Sequence, residues 1–326
     1  MTGGRDGLSY AAAGVDVGAY QRMLARVGPL IAGTHGPEVA SGVGPFAGLY
    51  ALPGAGYLAA SADGVGTKIK VAIAAGSHRG IGIDLVNHCI NDIATTRARP
   101  LFFLDYFASA RLDPDVFGSV MEGLSAACGA AGCALLGGET AEMPGMYALG
   151  DYDLAGFIVG VVDREQVPDL STIRAGDSLV ALPASGLHTN GFSLVRRVFD
   201  SVPLTHVFPE LGRSLAEELL EPHRCYLGDL NGLRWKSAAH LTGGGFFENV
   251  PRSLPDGLAA RFVRGSWDVP PIFRLISQRG QVLEAEMYST FNMGVGMVLV
   301  CETPPPGLQV IGEVVPQGDG PRVLLA

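Results

Sequence analysis

The chain has 326 residues, of which 48% are hydrophobic and 17% charged, and its formal net charge is −9. This length suits two domains of ordinary size with substantial apolar cores. The acidic balance argues against a protein that binds nucleic acid, but it is compatible with a local pocket for a small phosphorylated ligand.

The five cysteines fit no zinc-binding spacing and lie mostly in apolar runs. We therefore expect buried free thiols and a cytoplasmic protein. Residues 1–10 lack the basic patch and apolar core of a signal peptide. No apolar run approaches the roughly 20 residues that a membrane helix needs, so we expect no membrane association.

Strand and helix patterns fill the first half of the chain. Asp16 is placed to cap a first helix. The elements predicted after it are strands at 46–52 and 57–61, helices at 69–75 and 80–96, a strand at 101–107, a helix at 113–131, and buried strands at 133–136 and 157–162.

The polar segment 163–177 divides the chain, and we predict domains at residues 1–168 and 169–326. The elements predicted in the second half are strands at 178–183, 258–263, 295–301 and 310–315, helices at 192–200, 222–235 and 246–254, a polar loop at 185–191 and a glycine-rich turn at 242–245. Strands and helices mixed in both halves predict an α/β or α+β fold.

The loop 63–68, Asp-Gly-Val-Gly-Thr-Lys, lies between a predicted strand and a predicted helix. Gly64 and Gly66 allow a ligand to approach the backbone, and the helix start offers unpaired N–H groups beside Lys68. Asp63 would repel a phosphate unless a divalent cation lay between them, so the loop indicates Mg-nucleotide chemistry. An ordinary Asp-Gly turn is the alternative.

The predicted helix at 80–96 carries a polar stripe on an apolar background. The stripe consists of Asp84, His88, Asn91 and Asp92, whose spacing places them on one face. Carboxylates among apolar neighbours are costly unless they are paired or ligated. The stripe therefore indicates a metal-binding face, with a solvated helix surface as the alternative.

Three further segments are candidates for a site. Residues 135–145 run from an apolar strand into glycines and acids, which indicates either a site at a sheet edge or a charged turn. The loop 185–191 holds His188, which could exchange a proton near neutral pH or could simply be exposed. The turn 242–245 precedes a helix and is either a second phosphate cradle or a flexible turn.

Taken together, these segments resemble the phosphoribosylformylglycinamidine cyclo-ligase family, also called AIR synthetase, of purine biosynthesis. The matching segments are 8–16, 63–68, 82–92, 100–106, 137–145, 188–196, 240–246 and 286–297. The resemblance implies a two-domain α/β (α+β) protein with an N-terminal sheet that forms a barrel across a homodimer. It also implies a C-terminal domain with a mixed sheet and helices.

The implied reaction uses ATP and Mg²⁺ to convert formylglycinamidine ribonucleotide into aminoimidazole ribonucleotide, ADP and phosphate. We expect the metal ligands to be Asp63, Asp84, Asp92 and Glu139. We expect the nucleotide site to contain Gly64, Gly66, Thr67, Lys68, Asn91, Gly137, Gly138 and Thr140. We expect substrate contacts from His188, Thr189, Asn190, Thr242, Gly243, Gly244 and Gly245, with Lys68, His188 and Asn190 as catalytic residues.

The chain departs from the family pattern in three places. Ala11 stands where the family usually has a lysine, residues 44–47 read Gly-Pro-Phe-Ala in place of a Gly-Gly-Phe-Gly-like stretch, and the stretch 301–310 is short and rich in proline. Two alternative functions stay open at this stage. One is another ATP-using enzyme of the superfamily, of the selenophosphate synthetase or thiamine-phosphate kinase type, and the other is a silent nucleotide-binding partner.

Overall fold

The structure is a computed structural model that describes residues 7–54 and 56–326. The described chain forms two six-stranded sheets, each with its own helices, in agreement with the predicted two-domain α/β (α+β) class. No helix in this part of the chain is both long and apolar enough to cross a membrane.

The first sheet is built from the first half of the chain. Its strands are β1 Val39–Ser41, β2 Gly48–Ala51, β3 Tyr57–Gly64, β4 Arg99–Ser109, β5 Ala134–Glu142 and β6 Tyr152–Val162, in the spatial order β1-β2-β3-β6-β4-β5. Only β4 and β5 are parallel neighbours. The helices are α1 Val17–Ala32, α2 Lys68–Ala75, α3 Arg79–Ala94 and α4 Pro114–Ala130.

The second sheet is built from the second half. Its strands are β7 Ser178–Pro183, β8 Ser237–His240, β9 Leu258–Phe262, β10 Val295–Cys301, β11 Gln309–Pro316 and β12 Val323–Leu325, in the order β12-β9-β11-β7-β10-β8. The helices are α5 Phe192–Val198, α6 Leu215–Leu219, α7 Leu227–Leu230, α8 Gly245–Asn249, α9 Pro271–Gly280 and α10 Glu284–Thr290. Short 3₁₀ turns lie between the two sheets, and the exact boundary at residue 168 stays a prediction.

Glycines set the position of α3. A Cβ on Gly82 would lie 2.2 Å from the carbonyl oxygen of Val120, and one on Gly123 would lie 2.0 Å from that of Arg79, so α3 and α4 cross in close contact. The apolar side of α3, including the fully buried Leu85, belongs to the core of the first domain. The polar stripe is therefore turned toward the second domain.

The two faces of the first sheet differ. One face is covered by α3 and α4 and contains buried side chains such as Phe103 and Ile158. The other face exposes large apolar side chains, including Tyr50, Leu104 and Phe157. We call this second surface the open face. Successive side chains of each strand point alternately to the covered face and to the open face.

Several predicted elements need correction. The predicted helix at 222–235 is helical only at Leu227–Leu230. The strand predicted at 133–136 begins one residue later and continues through Glu142, and it is an exposed edge strand rather than a buried one, with Leu136 64% exposed. The sequence patterns also missed α9 and α10.

Candidate functional site

The polar stripe of α3 lies at the boundary between the domains and is buried. Asp84 and Asn91 have no exposed surface, and His88 and Asp92 are only 3% and 6% exposed. The solvated-surface alternative for this stripe is therefore wrong. Each of the four side chains contacts a residue outside α3, and these contacts decide what chemistry it can perform.

Lys68 and Asp84 neutralise each other. The Lys68 ammonium lies 2.7 Å and 2.9 Å from the two carboxylate oxygens of Asp84 and also donates to the carbonyl oxygen of Glu221. The amide of His223 donates to the same carboxylate. Burial raises the pKa of Asp84, an effect that Lys68 opposes. In the single chain both charges are thus paired within the protein, and the phosphate and catalytic roles expected for Lys68 and the metal role expected for Asp84 stay predictions.

Asn91 has a structural role in the single chain, and the nucleotide contact expected for it stays a prediction. Its amide nitrogen donates to the carbonyl oxygen of Arg224, and its side-chain oxygen accepts from the amide of Tyr226. Together with the contact of Asp84 to His223, these bonds hold residues 223–226 in a non-helical conformation. They explain why the helix predicted at 222–235 does not form there.

Four histidines from both domains, His88, His188, His223 and His240, meet beside the stripe, and we call them the histidine cluster. All four are at most 3% exposed. Nε2 of His223 lies 3.0 Å from Nε2 of His240, and the ring of His188 stacks on that of His223 with 3.9 Å between centroids. Only His88 and His188 were singled out from the sequence, because nothing in the sequence pattern around His223 or His240 indicates that they meet.

Two carboxylates border the histidine cluster. Oδ2 of Asp63, at the end of β3, lies 2.7 Å from Nε2 of His88, and Oδ1 of Asp92 lies 2.8 Å from Nδ1 of His240. Nδ1 of His88 lies 2.8 Å from Oγ1 of Thr189. Asp63 is the more accessible of the two acids, with its side chain 37% exposed.

The charge states within the histidine cluster differ. Burial favours the neutral ring of His88, but Asp63, Asp92 and Asp84 outweigh burial and raise its pKa to about 9. Burial lowers the pKa of His240 despite Asp92, and it lowers the pKa values of His188 and His223 well below the usual range, with neighbouring cations adding to the effect. The lowered pKa of His188 favours its neutral ring, which can accept a proton, and its expected role in proton exchange stays a prediction.

The glycine loop after β3 is open to solvent as expected. Gly64, Gly66 and Thr67 are exposed, and a Cβ on Gly66 would touch nothing. Oγ1 of Thr67 lies 3.1 Å from Oγ of Ser193 in the second domain. Ser193 also lines a cavity of about 540 Å³ whose cationic residues are Lys70, Arg196 and Arg197. No sequence pattern pointed to these three cations, although Arg196 and Arg197 stand in the helix that follows the loop 185–191.

The two loops of the second domain that were predicted to bind the substrate lie side by side. A Cβ on Gly243 would be 3.3 Å from the side-chain oxygen of Asn190, and the amide of Asn190 lies 3.5 Å from Oγ1 of Thr189. Gly244 and Gly245 are buried, and a Cβ on Gly245 would lie 2.1 Å from the carbonyl oxygen of Tyr288. These two glycines serve packing, so only Thr242 and Gly243 of the expected cradle reach the surface.

Glu139 does not join the other acids. Asp63 shares a cross-strand row with Asp105 and Gly138, and Glu139 is the next residue along β5. Since successive residues of a strand point to opposite faces, Glu139 lies on the open face and Asp63 on the face covered by α3. Within one chain, the predicted four-carboxylate metal site is therefore not assembled.

The segment 137–140 is likewise distant from the glycine loop. β5 is separated from β3 by β6 and β4, so the two strands lie roughly 14 Å apart at the usual strand spacing. A Cβ on Gly138 would lie 2.1 Å from the carbonyl oxygen of Asp105, and Gly137 occupies an irregularity in the register. Gly137, Gly138 and Thr140 are exposed on this edge strand, and their expected nucleotide contacts stay predictions.

Family models match both halves of the chain. The N-terminal domain of AIR synthase related protein matches residues 44–162, and the corresponding C-terminal domain matches residues 174–321. With its two mixed sheets and an interdomain cleft, the chain is a protein of the AIR synthase related class.

Curated relatives narrow this class. A phosphoribosylformylglycinamidine cyclo-ligase of Myxococcus xanthus (strain DK1622) is 51% identical over 305 residues, covering 90% of this chain and 88% of the relative. Its counterpart from Sorangium cellulosum (strain So ce56) is 47% identical over 338 residues, covering 96% and 97%. The chain therefore belongs to the phosphoribosylformylglycinamidine cyclo-ligase family.

A solved structure of the same fold is AaThiL complexed with AMPPCP and TMP. It has a TM-score of 0.66 and 13% identity, and the match covers 95% of this chain and 93% of that one. At this identity the likeness shows the fold alone. Because the curated relatives at 51% and 47% identity are cyclo-ligases, the thiamine-phosphate kinase alternative is not favoured.

Proposed function

We propose that this chain uses ATP to close the imidazole ring of formylglycinamidine ribonucleotide, forming aminoimidazole ribonucleotide, ADP and phosphate. The observation that carries the proposal is the identity of 51% and 47% to relatives named for this reaction, along most of both chains. The interdomain cleft contains acids, hydroxyls and cations around an exposed glycine loop. These are groups that can bind a metal–nucleotide complex.

The reaction needs activation of a poor leaving group. ATP transfers its terminal phosphoryl group to the formyl oxygen, and the neighbouring amidine nitrogen then attacks the formyl carbon. The carbon–oxygen bond breaks, phosphate leaves, and the nitrogen loses a proton as the ring forms. Such a reaction asks the protein mainly for positioning and charge neutralisation.

The phosphate-binding role falls to the exposed groups. Gly66 and Thr67 offer backbone N–H groups and a hydroxyl at the start of α2, Gly64 allows close approach to the backbone, and Lys70 and Arg196 line the adjoining cavity. Lys70 is paired with Asp151 but keeps 43% of its side chain exposed. The buried Lys68 stabilises the position of α2, which carries this surface, through its ion pair with Asp84 of α3.

Asp63 and Asp92 are the acids that fit Mg²⁺, an ion that is commonly held by one or two carboxylates together with phosphate oxygens. When bound, Mg²⁺ neutralises the phosphates and lets them approach the carboxylates. Asp63 faces the cleft beside the glycine loop, and its Oδ1 accepts from the amide of Gly64. The hydroxyl of Ser61 donates to Asp92 and orients this carboxylate.

The substrate would lie against the second domain. Thr189, Asn190, Thr242 and Gly243 form one continuous polar patch, and Thr189 connects it to His88 and hence to Asp63. We assign these residues to positioning of the substrate. His188 keeps its ring beneath the patch, where its Nε2 accepts from the amide of Ser185.

We further propose that the open face of the first sheet binds a second copy of the chain. The apolar side chains of Tyr50, Leu104 and Phe157 are 38–49% exposed, and β5 leaves one edge unpaired. A two-fold partner would cover both features and would bring its own surface against Glu139. The five free cysteines suit a cytoplasmic location.

A turnover assay tests the proposed reaction. Purified protein is incubated with ATP, Mg²⁺ and formylglycinamidine ribonucleotide, and the aromatic amine product is followed after diazotisation. We expect the amine and ADP to appear in equal amounts, and neither to form without the ribonucleotide. ATP binding without substrate-dependent ADP release would instead identify a silent nucleotide-binding protein.

A further inference from the structure

Two nitrogen ligands and one oxygen ligand of the kind that bind transition metals converge at the domain boundary. His88 and Asp92 stand four residues apart on α3, and His240 ends β8 in the second domain. Their potential ligand atoms all lie within 4.8 Å of one another, and the three residues are at most 6% exposed. The group is therefore enclosed and contributed by both domains.

The spacing is close to that of a filled metal site. Tetrahedral Zn²⁺ with ligands at about 2.0–2.1 Å keeps neighbouring ligand atoms about 3.4 Å apart, so a contraction of the order of 1 Å completes the geometry. Nε2 of His88 makes no well-aligned hydrogen bond, although Oδ2 of Asp63 lies 2.7 Å from it. Asp63 is thus placed to supply a fourth ligand oxygen.

In His88 and His240, the ring nitrogen that points away from this group already has a polar partner. Nδ1 of His88 lies 2.8 Å from the hydroxyl of Thr189, and Nε2 of His240 lies 3.0 Å from Nε2 of His223. Histidines that ligate metals characteristically engage the distal ring nitrogen in this way, because the second contact fixes the ring and its tautomer. Here these contacts leave Nε2 of His88 and Nδ1 of His240 turned toward the acids.

We propose that His88, Asp92 and His240, completed by Asp63, bind a divalent transition-metal ion of the zinc type that connects the two domains. Imidazole nitrogen favours Zn²⁺ and Co²⁺, whereas Mg²⁺ prefers sites made of oxygen alone. The ion would use the same two carboxylates that we assign to Mg²⁺ during turnover. The binding test is therefore made without nucleotide or substrate, and its outcome does not depend on the proposed reaction.

The primary measurement is calorimetric titration of Zn²⁺ into chelator-treated full-length protein. We expect one equivalent to bind per chain and to stay bound in a large excess of Mg²⁺. Stoichiometric binding that Mg²⁺ displaces readily would overturn the proposal, because it would indicate a site of carboxylates alone. Absence of saturable binding would overturn it as well.

Two variants identify the ligands. His88→Gln and His240→Asn each replace the proposed ligand nitrogen by an amide nitrogen, which is a donor only and cannot ligate in that orientation. Each should weaken Zn²⁺ binding at least about 100-fold, and Thr189→Val, which removes an outer contact, about 10-fold. The matched control is His206→Gln at an exposed histidine outside the cluster, and binding lost equally in the control would contradict the assignment.

A spectroscopic measurement on the unmodified chain covers the case in which a cluster variant does not fold. X-ray absorption of the zinc-loaded protein should show the scattering pattern of two imidazole rings. A shell of oxygen atoms alone would overturn the proposal. Since neither measurement involves turnover, an inactive protein could still bind Zn²⁺, and an active one could fail to bind it.

Discussion

Lys68 and Asp84 form an ion pair in which neither side chain has any exposed surface. Removing one partner of such a pair is costly, because the other charge then stays buried without compensation. The pair connects α2 to α3. Lys68 also donates a hydrogen bond to the carbonyl oxygen of Glu221 in the second domain. In this position Lys68, although it ends a glycine-rich loop, points into the protein and not to the surface.

The first prediction concerns this ion pair. Lys68→Met should lower the free energy of unfolding by about 3–5 kcal/mol. Urea denaturation at fixed temperature measures the change. The control Lys70→Met, at a partly exposed lysine on the same helix, should cost less than about 1 kcal/mol. A Lys68→Met protein of normal stability that no longer binds ATP would restore the phosphate role to Lys68.

The second prediction concerns the contact of Asn91 with the second domain. Asn91→Ala leaves the carbonyl of Arg224 and the amide of Tyr226 without their partners and should cost roughly 2–4 kcal/mol. Urea denaturation again provides the measurement. Asn87→Ala, one turn earlier, removes a single bond to the carbonyl of His223 and should cost less. Equal losses in the two variants would contradict the bridging role.

The third prediction tests the acid that faces the cleft. Asp63→Asn preserves side-chain volume and the bond from the amide of Gly64 but removes the negative charge. We expect kcat with Mg²⁺ to fall at least about tenfold, which corresponds to about 1.4 kcal/mol of transition-state stabilisation. Steady-state kinetics at saturating ATP measure it. Asp115→Asn, on the exposed start of α4, is the control, and full turnover by Asp63→Asn would remove Asp63 from the metal site.

The fourth prediction assigns phosphate binding to the cavity beside Ser193. Arg196→Gln keeps a polar side chain but removes the charge, so the KM of a phosphorylated substrate should rise about tenfold or more. We expect a smaller change in kcat. Arg234→Gln, at an exposed arginine that does not line this cavity, should leave both constants unchanged. An unaltered KM in Arg196→Gln would exclude this cavity as the phosphate site.

The fifth prediction tests the proposed dimer. Phe157→Glu places a charge in the middle of the open face and should convert the protein from dimer to monomer at micromolar concentration. Light scattering after size-exclusion chromatography measures the mass. Leu283→Glu is the control, because Leu283 is an isolated exposed apolar residue of the second domain. A wild-type protein that is already monomeric would contradict the proposed dimer.

Local patterns were sufficient for much of the fold. The helices α1, α3 and α4 were predicted from local patterns, and the predicted cap Asp16 accepts an amide hydrogen bond at the start of α1. The structure shows the same kind of cap at Asp113, where the helix 113–131 was predicted to begin. β7 and β10 were predicted with the bounds that the structure shows. These elements have strong local signals, and tertiary contacts reinforce them.

The site was harder to predict because its contacts are distant in sequence. His240 lies 148 residues from Asp92, and Tyr226 lies 135 residues from Asn91, so no spacing pattern could connect them. The stripe on α3 indicated where acids would gather, but not that Lys68 would neutralise Asp84. The sequence also did not show that the strand β5 continues beyond its glycines, so that the strand alternation turns Glu139 to the open face of the single chain.

The hydrogen bonds from Asp84 and Asn91 to residues 223–226 also limit how substrates and products can enter and leave the cleft. Those bonds cross the domain boundary, so hinge opening would break several buried interactions at once. The two sheets should therefore behave as one rigid framework during turnover. Entry and departure of small molecules must then depend on exposed surface segments, such as the glycine loop after β3.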